Sequence, residues 1–239
     1  TGDDSRGWLP MAEHDGEQHS AYFLSANRGK RSVELDITSE EDRARLEKLL
    51  VEADVLVENM RPGSLARYGL DYDSLSERHR GLVYCSISAF GQTGPRASEG
   101  GYDLTVQALS GLMAATGHAG QPPAKIPVAA LDFGSALYGV VGILAALIQR
   151  DATGRGQWVQ TSLLETSLAW LSMHIVTFFL GGAEPSPTGT RSPFFAPYEA
   201  YRTADGYLVV VGTGGRDAWR GLCEVLGRSE LADDPRFAW

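Results

Sequence analysis

Cysteine is scarce: the 239 residues hold two, Cys85 and Cys223. They lie far apart in a chain whose start shows no signal-peptide pattern, so a disulfide framework is not expected to hold the fold, and a reducing cytosol is the expected compartment. Positive charge is short as well. With 21 Lys and Arg against 30 Asp and Glu, the net charge is −9. Such a field repels nucleic acid and anionic membrane surfaces, and neither is expected as a partner. The histidines, His14, His19, His79, His118 and His174, have no metal-ligand spacing with one another or with the cysteines, so no metal site is expected. Gly29-Lys30 is followed by Arg31 where a P-loop needs Ser or Thr, and Gly212-Thr-Gly214 fails the dinucleotide fingerprint at its third glycine. Neither glycine-rich piece supports NTPase or nicotinamide chemistry. Long apolar runs are also lacking. Ala136 to Ile148 is too short to span a bilayer, Leu163 to Leu180 is interrupted by Glu165 and His174, and both read as buried helices.

What is present is enough apolar material, 43% of the chain, for one substantial core and a second small one. The pattern alternates. Arg31 to Ile37 reads as a short strand, and Thr38-Ser-Glu-Glu41 as a capping box opening a helix with Leu46, Leu49, Leu50 and Ala53 inward. Val55-Leu-Val57 reads as a buried strand, Asp73 as a helix start and Leu82 to Ser88 as a second strand, the alternation of a parallel α/β sheet with a crevice at its carboxyl ends. Helices are predicted over Leu104 to Ala115, Phe133 to Arg150 and Glu165 to Phe179, with a strand from Gln157. Gly181 to Gly189 carries a strong linker signal. Beyond it, Tyr198 to Arg202 and Tyr207 to Val211 flank a Gly-containing turn and read as a hairpin, followed by a helix with Trp219, Leu222, Cys223 and Leu226. The expected fold class is α/β: a large domain with a parallel sheet over 1–187 and the start of a smaller α+β domain over 188–239.

Asp132 sits in Ile126-Pro-Val-Ala-Ala-Leu-Asp-Phe-Gly-Ser135, between an apolar stretch and a long apolar helix. One reading is a helix N-cap, for which Asp is a preferred residue. The other is a carboxylate held for chemistry at a helix start, where unpaired N–H groups favour negative charge. The surrounding sequence shifts the weight to the second. Asn27 to Asp36, Ala53 to Gly63, Gly100-Gly-Tyr-Asp103, Thr153-Gly-Arg-Gly-Gln157, Ala196-Pro-Tyr, Thr203-Ala-Asp-Gly206 and Asp234-Pro-Arg-Phe237 together resemble, in order along nearly the whole chain, the class III CoA-transferases (CaiB/BaiF, formyl-CoA transferase-like).

The resemblance implies a Rossmann-like large domain, a homodimer of two interlocked chains, and an opening strand–helix–strand unit of roughly 30 residues ahead of Thr1, the usual size of such a unit. It puts Asp132 on the family's nucleophile. The implied reaction moves CoA from an acyl-CoA donor to a small carboxylic acid, with coenzyme A as substrate and no permanently bound cofactor. Leu35, Thr38, Asn59, Met60 and Arg67 fall on CoA-contact positions, Thr38 standing where a lysine can occur. Arg28, Lys30 and Arg61 add guanidinium and ammonium groups suited to phosphate, although a solvated charged loop is an alternative for them. Gly100 and Tyr102 fall on a loop beside the thioester. In the related α-methylacyl-CoA racemases a histidine takes the place of Tyr102, and a later glutamate the place of Gly214 or Gly215, so both differences favour transfer over racemisation. A noncatalytic acyl-CoA-binding protein, with Asp132 only a cap, is the third reading. Gly134 is a candidate oxyanion donor, and Thr188-Gly-Thr-Arg-Ser192 lacks the glycine run with which family members cover the intermediate.

Overall fold

The computed structural model describes residues 2–182, 184–212 and 215–237. Its centre is a three-stranded parallel sheet of β3 (Val55–Glu58), β4 (Val83–Ser88) and β5 (Trp158–Ser162), in the order β3-β4-β5. Val55 pairs with Val83, and Tyr84 with Trp158. The middle strand is buried from Val83 to Ser86, flanked by a strand on either side. The first is an edge. Val57 is 53% exposed and the other three residues are half-buried, so the buried strand expected there is only partly buried.

Ahead of the sheet lie an antiparallel hairpin, β1 (Met11–His14) and β2 (Glu17–Ser20), and helix α1 (Ala21–Asn27). The hairpin turns on Asp15 and Gly16, both at positive φ. Such a two-residue Asp-Gly loop matches strand twist, a signal that sequence reasoning passed over. The strand expected over Arg31 to Ile37 is absent. That segment is mostly exposed and pairs with no strand among the described residues. Its Asp36 instead accepts from Thr38 N and Oγ1, and Asp36 N donates to Asp42 Oδ2, local bonds that compete with a ladder. The cap of α2 (Glu40–Glu52) is Ser39, whose hydroxyl accepts from Asp42 N, one residue later than predicted. Leu50 is buried and Leu46 half-buried on the inward face, while Leu49 faces water.

Helix α3 (Tyr72–Arg78) leads into β4, and Leu50, Leu70, Leu75, Leu82 and Tyr84 form one core cluster with it. The helix expected over Leu104 to Ala115 divides into α4 (Asp103–Leu109) and α5 (Leu112–Ala115) at Gly111, whose φ of +87° ends one helix and opens the other. Helix α6 (Ala130–Thr153) follows, then α7 (Leu163–Trp170) and α8 (Ser172–Gly181), which bend by 63° where one helix was expected. A second core cluster, including Phe90, Val106, Leu131, Leu163 and Leu171, fills the space between α4, α6, α7 and the end of β4.

Helix α6 corrects the reading of its apolar stretch. It runs 24 residues and is, among the described residues, the one helix long and apolar enough to cross a membrane by length and composition. It is not buried all round. One face lies on the sheet, where Gly139 faces Cys85 and Thr161, and a Cβ on Gly142 would stand 2.6 Å from Val159 Cγ1. The other exposes Leu137, Val140, Val141, Leu144 and Ile148. Helix α8 likewise exposes Met173, Val176, Phe179 and Leu180.

The chain ends with the predicted hairpin, β6 (Tyr198–Arg202) on β7 (Tyr207–Val211), and α9 (Gly215–Val225), which buries Cys223. Leu226, expected in this helix, lies one residue past its end and is exposed. Gly189 N donates to Gly117 O, so the segment after the linker signal returns to the loop before α6. Both cysteines are free.

Candidate active site

The carboxyl ends of all three parallel strands open on one cleft of about 720 Å³. Asn59, Met60, Arg61 and Pro62 follow β3, Ala89 follows β4, and Leu163 follows β5. Glu99, Gly100, Gly101 and Tyr102 form the lip, and Asp132 completes the wall from the first turn of α6. Open α/β sheets bind ligands at this end, because the loops there are free to vary while the strands hold them in place.

Asp132 is not the N-cap of α6. That position is Ala129, whose side chain cannot accept a hydrogen bond, and Asp132 lies three residues inside the helix. The capping is done from another element. Asp103 Oδ2 accepts from Leu131 N at 2.7 Å and from Asp132 N at 3.4 Å, while Oδ1 accepts from Gln107 Nε2. Gln107 is fully buried and its Oε1 accepts from Ile126 N at 2.9 Å, which ties α4 to the chain entering α6. Leu131, also fully buried, anchors the turn in the core. The Asp132 side chain is thereby left without a structural task. It is exposed and opens on the cleft. Partial loss of water against the cleft wall and, secondly, the Asp103 charge raise its carboxyl above the ordinary aspartate value.

Gly134 lies at a close approach of two helices. It is buried, and a Cβ there would meet Trp170 Cζ2 at 2.5 Å and Thr166 Cγ2 at 2.6 Å, so its lack of a side chain lets α6 approach α7. Next to it, Ser135 Oγ donates to Thr166 Oγ1 at 2.8 Å, Thr166 having given its own proton to Ser162 O. Tyr102 stands at the lip, 82% exposed, with its ring free to meet a ligand.

Of the residues singled out from sequence, the cleft unites Asp132, Asn59, Met60, Arg61, Gly100 and Tyr102. Leu35, Thr38, Arg67, Arg28 and Lys30 do not line it. Leu35 and Thr38 belong to the exposed segment before α2, Lys30 Nζ donates to Asn27 Oδ1, and the Arg67 guanidinium lies 4.6 Å from the Tyr68 ring centre. A second pocket of about 150 Å³ shares Arg61 and Pro62 with the cleft and is lined by the stacked rings of Tyr72 and Trp158. Asp71 Oδ1 and Gln92 Nε2 are buried there without hydrogen-bond partners. Sequence reasoning missed Asp103 and Gln107 as site residues. The signal was an acid beside Tyr102 with an amide four residues on, where the two side chains share a helix face. Among the described residues no three His, Cys, Asp or Glu are grouped to hold a metal ion.

Fold and cleft together define an α/β protein that offers a carboxylate, carried on a helix start, to a ligand at the strand ends. Comparison with known proteins narrows this. The CoA-transferase family III model matches residues 1–239, and the chain belongs to that family. It is 42% identical over 99% of its length to the succinate–glutarate CoA-transferase of Agrobacterium fabrum, and 39% identical over 99% to the acetyl-CoA:oxalate CoA-transferase of Acetobacter aceti. It spans 60% of the length of each. Among solved structures, a CaiB/BaiF family protein from Brucella suis superposes with a TM-score of 0.84 at 40% identity, covering 98% of this chain and 62% of that one.

Proposed function

We propose that this chain carries the nucleophile and much of the CoA site of a CoA-transferase that moves CoA from an acyl-CoA donor to a carboxylic acid. The observation that carries the reading is the Asp132 carboxylate, free of any capping role, facing a cleft with Asn59, Met60, Arg61, Gly100 and Tyr102. Exchange of CoA between two acids is nearly thermoneutral, since one thioester is made as another is broken, and a carboxylate can shuttle the acyl group. Asp132 attacks the donor thioester carbonyl, the C–S bond breaks, and a mixed anhydride and CoA thiolate result. The thiolate attacks the Asp132 carbonyl, releasing the donor acid and leaving an aspartyl thioester. The acceptor carboxylate displaces that thiolate to form a second anhydride, and the thiolate then takes the acceptor acyl group, restoring the Asp132 carboxylate. The acceptor is a short dicarboxylic acid and the donor a short acyl-CoA, a choice supported by the succinate, glutarate, oxalate and acetyl-CoA in the names of the relatives.

Arg61 is the cation nearest this chemistry and suits a phosphate or an acceptor carboxylate. Arg28, Lys30, Leu35, Thr38 and Arg67, outside the cleft, are left for the distal part of CoA. Tyr102 in the place of the racemase histidine supports transfer over α-proton exchange; of the two positions for the racemase glutamate, Gly215 opens α9 and Gly214 lies outside the described residues. An interlocked homodimer in the cytoplasm, with a domain boundary near 187, completes the reading, and a monomer in sedimentation of the full-length protein would count against that assembly. The decisive experiment is hydroxylamine trapping on the full-length enzyme with a panel of acyl-CoA esters, read by peptide mass spectrometry. A hydroxamate on the Asp132 peptide, lost in Asp132→Asn, is expected. Full transfer activity in Asp132→Ala would overturn the reading.

A further inference from the structure

We propose that Asp103 is a positioning residue for Asp132: its carboxylate occupies the backbone donors at the start of α6, so that the helix end works for Asp103 while Asp132 is left as the less stabilised, more reactive anion. The proposal rests on the reading of Asp132 as nucleophile. A helix N-terminus stabilises a nearby carboxylate through its unpaired N–H groups and its dipole, an effect confined to the first turn. Asp132 lies within that turn, and on sequence alone would receive this stabilisation. In the fold the Leu131 and Asp132 N–H groups both point to Asp103 Oδ2, and Phe133 N is already bonded to Ala129 O.

Two features hold Asp103 in that task. Gln107 Nε2 donates to its other oxygen, and Gln107 cannot turn away, because its Oε1 accepts from Ile126 N in a fully buried position. Three elements, α4, the chain before α6, and α6 itself, are thus joined through the Asp103–Gln107 pair. The other charged groups around Asp132 are Arg61 and Glu99 across the cleft, Tyr102 at its lip, Lys125, whose ammonium is turned onto Ile126 O and Pro127 O, and Glu165, which accepts from Ser162. Glu99 is itself paired with Arg96 at 2.6 Å.

The chemical consequence concerns the acylated enzyme. When the Asp132 oxygen forms a C–O bond to an acyl carbon and the C–S bond of the donor breaks, the negative charge leaves with the CoA thiolate and Asp132 becomes neutral. Repulsion from Asp103 is relieved in that step and returns when Asp132 is freed. Asp103 therefore raises the share of acylated enzyme and the nucleophilicity of the free carboxylate together.

The test uses full-length enzyme and Asp103→Asn, which keeps an acceptor oxygen for α6 and removes the charge, beside Asp103→Glu, which keeps the charge. The readouts are the hydroxamate yield on Asp132 at fixed acyl-CoA and the acid limb of the single-turnover rate against pH. In Asp103→Asn the yield is expected to fall roughly tenfold, the factor of one unfavourable charge contact, and the acid limb to move to lower pH. In Asp103→Glu the limb is expected to stay at its wild-type position, even with a lower rate. A limb unmoved in Asp103→Asn shows a structural cap only and overturns the inference. Should Asp103→Asn not fold, Asp103→Ser, which also lacks the charge but retains a capping hydroxyl, gives the same decision. Failure of wild-type enzyme to form any Asp132 hydroxamate would instead remove the nucleophile reading, and the inference with it.

Discussion

Gly101 offers a direct test of how the lip of the cleft positions its residues. A Cβ at this residue would stand 2.9 Å from Ala89 Cβ and 3.3 Å from Phe90 Cε2, both buried in the cluster beneath the cleft. Ordinary contact begins at 3.4 Å, so something must yield by about half an ångström. Forcing the core to yield costs about 1–3 kcal/mol. Gly101 is only half-buried, so its loop lifts more cheaply, and Gly101→Ala is expected to lower stability by about 1 kcal/mol, at the bottom of that range. The displacement then passes to the next two residues, Tyr102 and Asp103, and through Asp103 to the first turn of α6. A misplacement of about 1 Å in an active site costs about 100-fold in rate, so half that distance predicts about tenfold. Urea unfolding and single-turnover transfer on the full-length enzyme measure the two effects. Ala89→Gly in the Gly101→Ala background removes the closest contact and is expected to restore most of the rate. Gly100→Ala, where a Cβ meets nothing within 4 Å, is expected to change stability by less than about 0.5 kcal/mol. Equal stability losses at Gly100 and Gly101, or no recovery in the double variant, would refute the argument.

Two further predictions concern pH. The raised Asp132 carboxyl means that the folded state holds its proton longer than the unfolded chain does, so its ionisation destabilises the fold as pH rises above the ordinary aspartate value of 3.8. Asp132→Asn is therefore expected to melt higher than wild type at pH 7 and to converge with it in acid; a variant that melts lower at pH 7 contradicts this. Glu47 has the opposite sign: the Arg78 hydrogen bond first, then His79, hold its carboxyl below the ordinary 4.5 against the opposing effect of burial. Its link between α2 and α3 contributes above that pH and is lost as pH falls further. The gap in melting temperature between wild type and Glu47→Gln should close on acidification, and a constant gap from pH 7 to pH 3 would rule the link out.

The alternating architecture was legible because β4 is rich in strand-forming residues and because α2 starts on a Ser cap and α6 ends on a glycine. The hairpin at Asp15-Gly16 was equally legible and was overlooked in favour of the basic loop that follows. Other features had no local signature. The exposed face of α6 could not be told from its buried face, since Leu137, Val141 and Leu144 are as apolar as Leu131 and Ala146, and periodicity is silent when both faces are hydrophobic. The capping of α6 by Asp103 joins residues 28 and 29 apart in sequence, a pairing that only the tertiary packing of α4 on α6 creates. Asn59, Met60, Gly100 and Tyr102 were named together with Asp132 through family resemblance and Arg61 through its charge, and the cleft at the strand ends explains why they meet.

The apolar faces of α6 and α8 also decide how the folded chain can be followed in solution. Dyes that brighten on hydrophobic surface normally report loss of packing, because a tight core hides such surface until it melts. This chain offers Leu137, Val141, Leu144, Ile148, Phe179 and Leu180 to solvent while folded. For this 239-residue chain by itself, as a monomer, a dye-based melt would begin bright, and its rise on unfolding would be small or inverted. Circular dichroism, or the summed emission of the five tryptophans, among them Trp158, whose indole N–H donates to Ser86 between two strands, follows the fold without that background.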